Sequence, residues 1–169
     1  MTDMKSDIKV YLASSMETRF RESIKHAAET LRETFADVYV PMEHAVPNAW
    51  DYPNSEWGLM VFEDDVQAIN RADYIVVLNY GRKNTTAGCA WEAGYAFALG
   101  KKVFIVDVYD PKSLDIKTKS DEIREYFKEE FVTSLMVENG RYATINGLYG
   151  LERYDWDELP KTRSPYEQK

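Results

Sequence analysis

The sequence predicts an α/β protein with one doubly wound, mainly parallel sheet of five strands and helices on both faces. Two observations carry this prediction. Short β-branched runs alternate with helical segments along the chain, an order typical of layered parallel sheets. Residues 74–80 ("YIVVLNY") and 103–108 ("VFIVDV") are also apolar on both strand faces, as central parallel strands are when helices cover both sides.

The apolar pattern places each element in order. Strands are expected at 8–13, 38–43, 74–80, 103–108 and 141–145. Helices are expected at 16–35, at 55–72 with Ser55 as the cap, around Glu92, and at 120–131. With 169 residues, 44% of them hydrophobic, and no repeat or linker, the chain is expected to be a single flavodoxin-like or Rossmann-like domain over 1–169, with a tail from about residue 160.

Charge and composition exclude several partners. A net charge of −8 argues against a nucleic-acid polymer, because phosphate binding needs a basic surface. The single Cys89 allows no internal disulfide, and the N-terminus lacks the pattern of a signal peptide, so the cytoplasm is the expected location. No apolar run approaches the roughly 18 residues that would span a bilayer, so no membrane is expected.

Glu92 is the only charged residue between Gly88 and Gly100, within "GCAWEAGYAFALGKK". It lies about one turn into its helix, where the helix dipole favours an anion. A plain capping role is an equally simple interpretation of the spacing. The helix is nevertheless rich in alanine and glycine on nearly every side, which suggests that a ligand or neighbouring chain approaches closely.

Asp65 is the second unusual carboxyl. On the helix at 55–72 it shares a stripe with Phe62 and Ile69, which should face the core, whereas Glu63 and Asp64 are expected to be solvated. Apolar surroundings raise the pKa of a carboxyl, and a helix-terminal carboxyl stays ionised. Two carboxyls with divergent environments favour an acid and a nucleophile, and so predict glycosyl chemistry.

Other chemistries fit less well. His26 and His44 have no cysteine or acidic partner at a metal-ligand spacing, so no metal site is predicted. The chain has neither a dinucleotide-binding glycine fingerprint nor a phosphate loop ending in Gly-Lys-Ser/Thr. Cys89 is expected to be a packing residue, since no histidine base accompanies it. The site should lie at the carboxyl ends of the strands, near residues 11–15, 43–50, 79–88 and 107–110.

Four stretches together resemble the nucleoside 2-deoxyribosyltransferase family: "VYLASS" on the first strand, "DVQAINRAD" from Asp65 to Asp73, "AGCAWEAGYAFALGK", and "SLM" at 134–136. The resemblance spans most of residues 8–137. It implies that Glu92 is the nucleophile, that Tyr11 orients its carboxylate, and that Asp65 contacts the substrate and is a candidate proton donor. It implies no metal or organic cofactor.

The resemblance also implies the partners. Substrates would be 2′-deoxynucleosides and free nucleobases. Trp50, Tyr52 and Trp57 are candidate walls for a planar base, with ordinary loop packing as the alternative. The segment Ser134 to Met136 would reach into a neighbouring subunit's site, making the protein a homo-oligomer with shared active sites. The full set of expected substrate-binding residues is Ser14, Ser15, Trp50, Trp57, Thr86, Gly88, Ser134 and Met136.

Two departures from the family pattern leave alternatives open. The usual aspartate six residues before the nucleophile is Thr86 here, and the usual Asn-Leu-Met begins with Ser134. Hydroxyls at these places resemble the 2′-deoxynucleoside 5′-monophosphate N-glycosidases, which would hydrolyse nucleoside monophosphates. Glu17 beside a phosphate argues against that alternative unless Arg19 or Arg21 compensates. Base transfer is therefore preferred, and a nucleotide-binding module without turnover is the third hypothesis.

Overall fold

A computed structural model describes residues 4–81, 86–108 and 134–163. Its centre is a five-stranded, all-parallel sheet in the order β2-β1-β3-β4-β5, which confirms the predicted fold class. The strands are β1 (Lys5–Ala13), β2 (Phe35–Tyr39), β3 (Tyr74–Asn79), β4 (Lys102–Asp107) and β5 (Ala143–Ile145). The helices are α1 (Arg21–Arg32), α2 (Asn54–Arg71), α3 (Ala87–Ala98), α4 (Leu135–Gly140) and α5 (Gly147–Glu152). The helix predicted at 120–131 lies outside the described residues.

The sheet separates two cores, because successive side chains of a strand point to opposite faces. Val10 and Leu12 of β1 pack on one face with side chains of α1 and α5. Tyr11 and Ala13 face the other way and pack against α2 and α3. The alternation therefore puts Tyr11 on the side of the sheet where both predicted carboxyl-bearing helices lie.

The predicted boundaries of the first helix and the second strand are wrong. The helix predicted at 16–35 is only Arg21–Arg32, preceded by a 3-10 turn at Thr18–Phe20. It ends early because Phe35 begins β2, where its fully buried ring packs edge-on against Tyr74 and Trp156. The second strand is accordingly shifted from 38–43 to Phe35–Tyr39.

Two helices after β2 begin at or directly after a proline. Pro41 occupies the first turn of a short 3-10 helix, Pro41–Glu43, and proline cannot donate to a strand ladder, so β2 does not continue to residue 43. The cap predicted at Ser55 is also wrong. Helix α2 begins at Asn54, follows Pro53, and has no side-chain cap.

The strand order places a ligand site at one edge of the sheet. From β1 the chain crosses to β2 on one side, and β3 then joins β1 on its other side. Ligands of such sheets bind where neighbouring connections diverge, outside the carboxyl ends of the strands. Tyr11 and Tyr39 lie side by side near that edge, since they are register partners in β1 and β2. Within the described part of the chain, the helices are all too short or too polar to cross a bilayer.

Removal of the Phe35 ring tests why the first helix ends where it does. Phe35→Ala should lower the free energy of unfolding by about 3–5 kcal/mol, since it deletes a fully buried aromatic ring between two others. Urea denaturation measures the change. Leu59→Ala, at an exposed position of α2, is the control and should cost less than about 1 kcal/mol. A Phe35→Ala cost as small as that of the control would contradict the structural role of Phe35.

Candidate active site

Helix α3 presents Glu92 to the end of β1. The helix begins where the Thr86 hydroxyl accepts a hydrogen bond from the Cys89 backbone N–H at 3.3 Å. Six residues later, Glu92 points back to the sheet, and the Tyr11 hydroxyl donates to its Oε1 at 2.9 Å. Tyr11 is completely buried. A phenol fixed in the core therefore determines the position of this carboxyl.

Burial dominates the electrostatics of Glu92. It raises the pKa of the carboxyl to about 7, and the negative charge of Asp65 acts in the same direction, while the hydrogen bond from Tyr11 lowers the pKa. The helix dipole was expected to favour the ionised form of Glu92, and burial opposes that effect. The residue lies beyond the first turn, where the dipole effect has faded, and desolvation prevails.

Asp65 faces the same space from helix α2. The Tyr39 hydroxyl donates to its Oδ1 at 3.3 Å. Burial raises the pKa of Asp65, as the sequence predicted, although the bond from Tyr39 lowers it. The predicted core-facing stripe is right for Ile69, which is fully buried, and wrong for Phe62, which is 50% exposed. The stripe passes from the core to an open cavity, and Asp65 lies at the transition.

Two adjoining cavities meet at the carboxyls. The larger, about 670 Å³, is lined by Asp65 and Glu92 together with residues from the end of β1 and the loop after β2. The smaller, about 370 Å³, is also lined by Asp65 and Glu92, and it opens between α2 and α3 beside Phe62 and Trp91. Both carboxyls are therefore reachable by a small ligand, and one of them has a pKa near neutrality.

The larger cavity brings together part of the predicted substrate site. Ser14, Trp50 and Trp57 line it, with the Trp50 ring almost wholly exposed at its rim. Gly88 lines the smaller cavity. Ser15 is buried instead, with its hydroxyl 3.4 Å from the Glu17 backbone N–H, which donates to it.

Thr86, Ser134 and Met136 do not line these two cavities. The Thr86 hydroxyl caps α3 and also donates to the Cys89 sulfur at 3.2 Å. Ser134 caps α4 by accepting from the Val137 backbone N–H at 3.3 Å. With Met136 it lines a separate apolar cavity of about 320 Å³ against Ala90 and Gly94 of α3. The small residues of α3 therefore accommodate α4 within the same chain.

The sequence analysis did not assign a role in the site to Tyr39 or His44. Tyr39 stacks on Tyr11 with ring centroids 5.5 Å apart, and His44 stacks on Tyr39 with ring centroids 4.1 Å apart. The loop carrying His44 is held by an ion pair in which Arg32 Nη1 lies 2.9 Å from Glu43 Oε1. The available signal was a tyrosine near the end of each of two successive strands, Tyr11 in β1 and Tyr39 in β2.

Other reactive groups have different roles. Burial raises the pKa of the Cys89 thiol to about 11, so it stays protonated near neutrality, in agreement with a packing role. His26 lies away from the site and pairs with Glu152 at 2.8 Å. Across residues 4–81, 86–108 and 134–163, no three His, Cys, Asp or Glu side chains gather in a metal-binding arrangement.

The raised pKa of Glu92 predicts a stability that depends on pH. The folded-state pKa of about 7 exceeds the ordinary 4.5, so the unfolded chain ionises first and stability falls as pH rises between these values. Glu92→Gln should therefore raise the free energy of unfolding by about 1–3 kcal/mol at pH 8 and change it little at pH 4. Urea denaturation at both pH values measures this.

The matched control is Glu63→Gln, which removes an exposed carboxylate from α2. It should change the unfolding free energy by less than about 0.5 kcal/mol at either pH. If Glu92→Gln changes the unfolding free energy equally at pH 4 and pH 8, ionisation of Glu92 is not the cause of the pH-dependent stability.

Comparison with solved structures finds the same architecture. The 2-deoxyribosyltransferase of the psychrotolerant bacterium Bacillus psychrosaccharolyticus is similar, with a TM-score of 0.68 and 24% identity over 92% of this chain and 98% of that one. A conserved protein from Enterococcus faecalis V583 has a TM-score of 0.63 and 22% identity, over 88% of this chain and 96% of that one. At these identities the likeness shows the fold. No curated protein sequence matches the chain.

The family follows from the sequence match. The model of the family described as nucleoside 2-deoxyribosyltransferase matches residues 10–139, which is more than half of the chain. The matched range begins on β1 just before Tyr11 and includes both Asp65 and Glu92. The chain therefore belongs to the nucleoside 2-deoxyribosyltransferase family.

Proposed function

We propose that this protein transfers the 2-deoxyribosyl group of a 2′-deoxynucleoside from one nucleobase to another through a covalent ester on Glu92. One observation carries the proposal. A buried tyrosine holds one oxygen of a carboxyl whose pKa is about 7, and a second carboxyl of raised pKa shares its cavity. Membership of the family gives the substrate class.

In the first half-reaction, ionised Glu92 attacks C1′ of the bound nucleoside. The new bond joins a glutamate oxygen to C1′ as the bond from C1′ to the base nitrogen breaks. The base leaves with that electron pair and takes a proton from Asp65. Tyr11 donates to Oε1, and no hydrogen bond within the described residues engages Oε2, so Oε2 is the attacking atom we propose.

The second half-reaction reverses these steps with another base. A nitrogen of the incoming base attacks C1′, the ester bond breaks, and Glu92 recovers its carboxylate. The proton lost by the base nitrogen returns to Asp65. A half-buried carboxylate whose pKa lies near 7 suits both roles, because it is a stronger nucleophile than a fully solvated one and is still displaced afterwards.

The cavity offers surfaces for the base and sugar. The exposed rings of Trp50 and Trp57 can stack on a planar base without selecting one identity. Ser14 follows β1 and lines the same cavity as the two carboxyls, and we propose that it contacts the sugar. We further propose that Ser134 and Met136 act in the site of a neighbouring subunit of a homo-oligomer, since Met136 is 85% exposed on its own chain.

Hydrolysis of 2′-deoxynucleoside 5′-monophosphates is the second candidate, and one observation favours it. Arg19 Nε lies 2.8 Å from Glu17 Oε2, so the acid that would repel a phosphate after β1 is already neutralised. In this alternative water replaces the second base, and the Glu92 ester is hydrolysed to 2-deoxyribose 5-phosphate. A second observation argues against hydrolysis, because the Thr86 hydroxyl caps α3 and is therefore less available to a phosphate.

Incubation of 2′-deoxyinosine with adenine tests the transfer. Wild-type protein should produce 2′-deoxyadenosine, and Glu92→Ala should reduce the rate by at least about a thousandfold, because no nucleophile remains. Glu63→Ala, at an exposed position, should retain the wild-type rate. Chromatography measures the products, and mass spectrometry without adenine should find the deoxyribosyl group on the peptide that contains Glu92.

A parallel incubation with 2′-deoxynucleoside 5′-monophosphates in water separates the two candidates. Release of base from the monophosphates alone, lost in Glu92→Ala, would replace transfer by hydrolysis. Wild-type activity in Glu92→Ala would remove both.

The pH dependence separates the two carboxyls. Wild-type kcat/KM should rise as pH increases through about 7, since Glu92 must lose its proton before it attacks. Asp65→Asn should lower kcat by about 10²- to 10⁴-fold where wild-type Asp65 keeps its proton, and by less at higher pH. Glu63→Gln, at an exposed position of α2 whose charge does not act on Asp65, is the control. If the ratio of the wild-type kcat to the Asp65→Asn kcat is the same at every pH, Asp65 is not the acid.

A further inference from the structure

Tyr39 is the centre of a three-ring stack at the edge of the site. Its ring lies 14° from parallel to that of Tyr11, with centroids 5.5 Å apart. The His44 ring also stacks on Tyr39, 7° from parallel at 4.1 Å. Tyr39 is thus held by two rings, Tyr11 of the core and His44, which lines the larger cavity.

The two tyrosines make equivalent bonds to the two carboxyls. Tyr11 donates to Glu92 Oε1 at 2.9 Å, and Tyr39 donates to Asp65 Oδ1 at 3.3 Å. They are register partners on neighbouring parallel strands, so their side chains leave the same face of the sheet. The stack therefore sets both phenol hydroxyls in one fixed arrangement.

A simple packing role does not account for the Tyr39 hydroxyl. A phenylalanine would stack equally well on both neighbours, and stacking by itself contributes about 0.5–1.5 kcal/mol. The hydroxyl is directed at a half-buried carboxyl that the proposed reaction uses. Burial and the charge of Asp65 raise the pKa of Tyr39 to about 12, so the phenol remains a hydrogen-bond donor throughout the neutral range.

We propose that Tyr39 is the positioning residue of Asp65, and that His44 holds the Tyr39 ring so that its hydroxyl stays directed at the carboxyl. The role in turnover rests on the proposed function, in which Asp65 gives its proton to the leaving base. A fixed carboxyl places that proton in line with one position of the base. A carboxyl without the hydrogen bond samples other rotamers and transfers the proton less often.

The hydrogen bond also acts on the pKa of Asp65, which burial raises and the bond from Tyr39 lowers. A donor favours the ionised carboxylate, so loss of the Tyr39 hydroxyl should raise the pKa of Asp65 and shift the fall in activity to higher pH. Several other groups face Asp65 or act on it through their charge and must be kept constant in the comparison. They are Tyr11 of β1, His44 of the loop after β2, Asp64 of α2 and Glu92 of α3.

The test compares Tyr39→Phe with Tyr39→Leu and with Tyr142→Phe in the full chain. Tyr39→Phe keeps the stack and removes the donor, and it should lower kcat about 5- to 50-fold with less than about a threefold change in KM. Tyr39→Leu removes the stack as well and should lower kcat further. Tyr142→Phe loses a phenol bond to the Pro160 carbonyl, remote from the carboxyls, and should leave kcat unchanged.

A second measurement does not depend on turnover. NMR titration of carboxyl-labelled aspartate, with Asp65→Asn for assignment, should give a higher pKa for Asp65 in Tyr39→Phe than in wild type, by about half a unit or more. Tyr142→Phe should not shift it. An unchanged Asp65 pKa, or a wild-type kcat and pH profile in Tyr39→Phe, would overturn the positioning role. If the wild-type protein shows no turnover and the Asp65 pKa still shifts in Tyr39→Phe, the proposed reaction is rejected and the positioning role of Tyr39 is kept.

Discussion

The hydrogen bond from Tyr11 to Glu92 is the contact on which the site depends, because it joins the core of the sheet to the reactive edge. Its donor is fully buried in β1, an inner strand of the sheet, and its acceptor lies on a helix of small residues packed on the same face. Burial makes ionisation of the carboxyl unfavourable, and the phenol partly offsets that cost. The balance leaves Glu92 able to change charge near neutral pH, which few solvated carboxyls do.

The second carboxyl is arranged by the same face of the sheet. Because β1 and β2 are parallel and in register, one strand's tyrosine bonds Glu92 and its neighbour's bonds Asp65. Each carboxyl comes from a different helix, yet both are fixed by adjacent strands. A parallel sheet thereby provides a rigid base for groups that approach from α2 and α3, and the proposed glycosyl transfer, which uses both carboxyls, requires this rigidity.

Sequence periodicity was sufficient to predict the layered fold, and residue spacing singled out Glu92 and Asp65, which the structure brings to one cavity. The unusual places of Glu92 among small residues and of Asp65 on an apolar stripe follow directly from residue spacing. The sequence could not reveal that Phe35 leaves the first helix to fill the core, because that choice depends on Tyr74 and Trp156, far along the chain. The raised pKa of Glu92 was likewise hidden, since burial by other elements outweighs its place in its own helix. Tyr39 and His44 become recognisable only when strand register and the following loop are known.

The ion pair between Arg32 and Glu43 links the cavity wall to the opposite side of the sheet. Arg32 ends α1, which packs on the face away from Glu92, whereas Glu43 immediately precedes His44. Both side chains are substantially exposed, so dissolved salt screens their attraction. Rising ionic strength should therefore weaken one of the contacts that hold the loop carrying His44, although this contact lies outside the cavity that His44 lines.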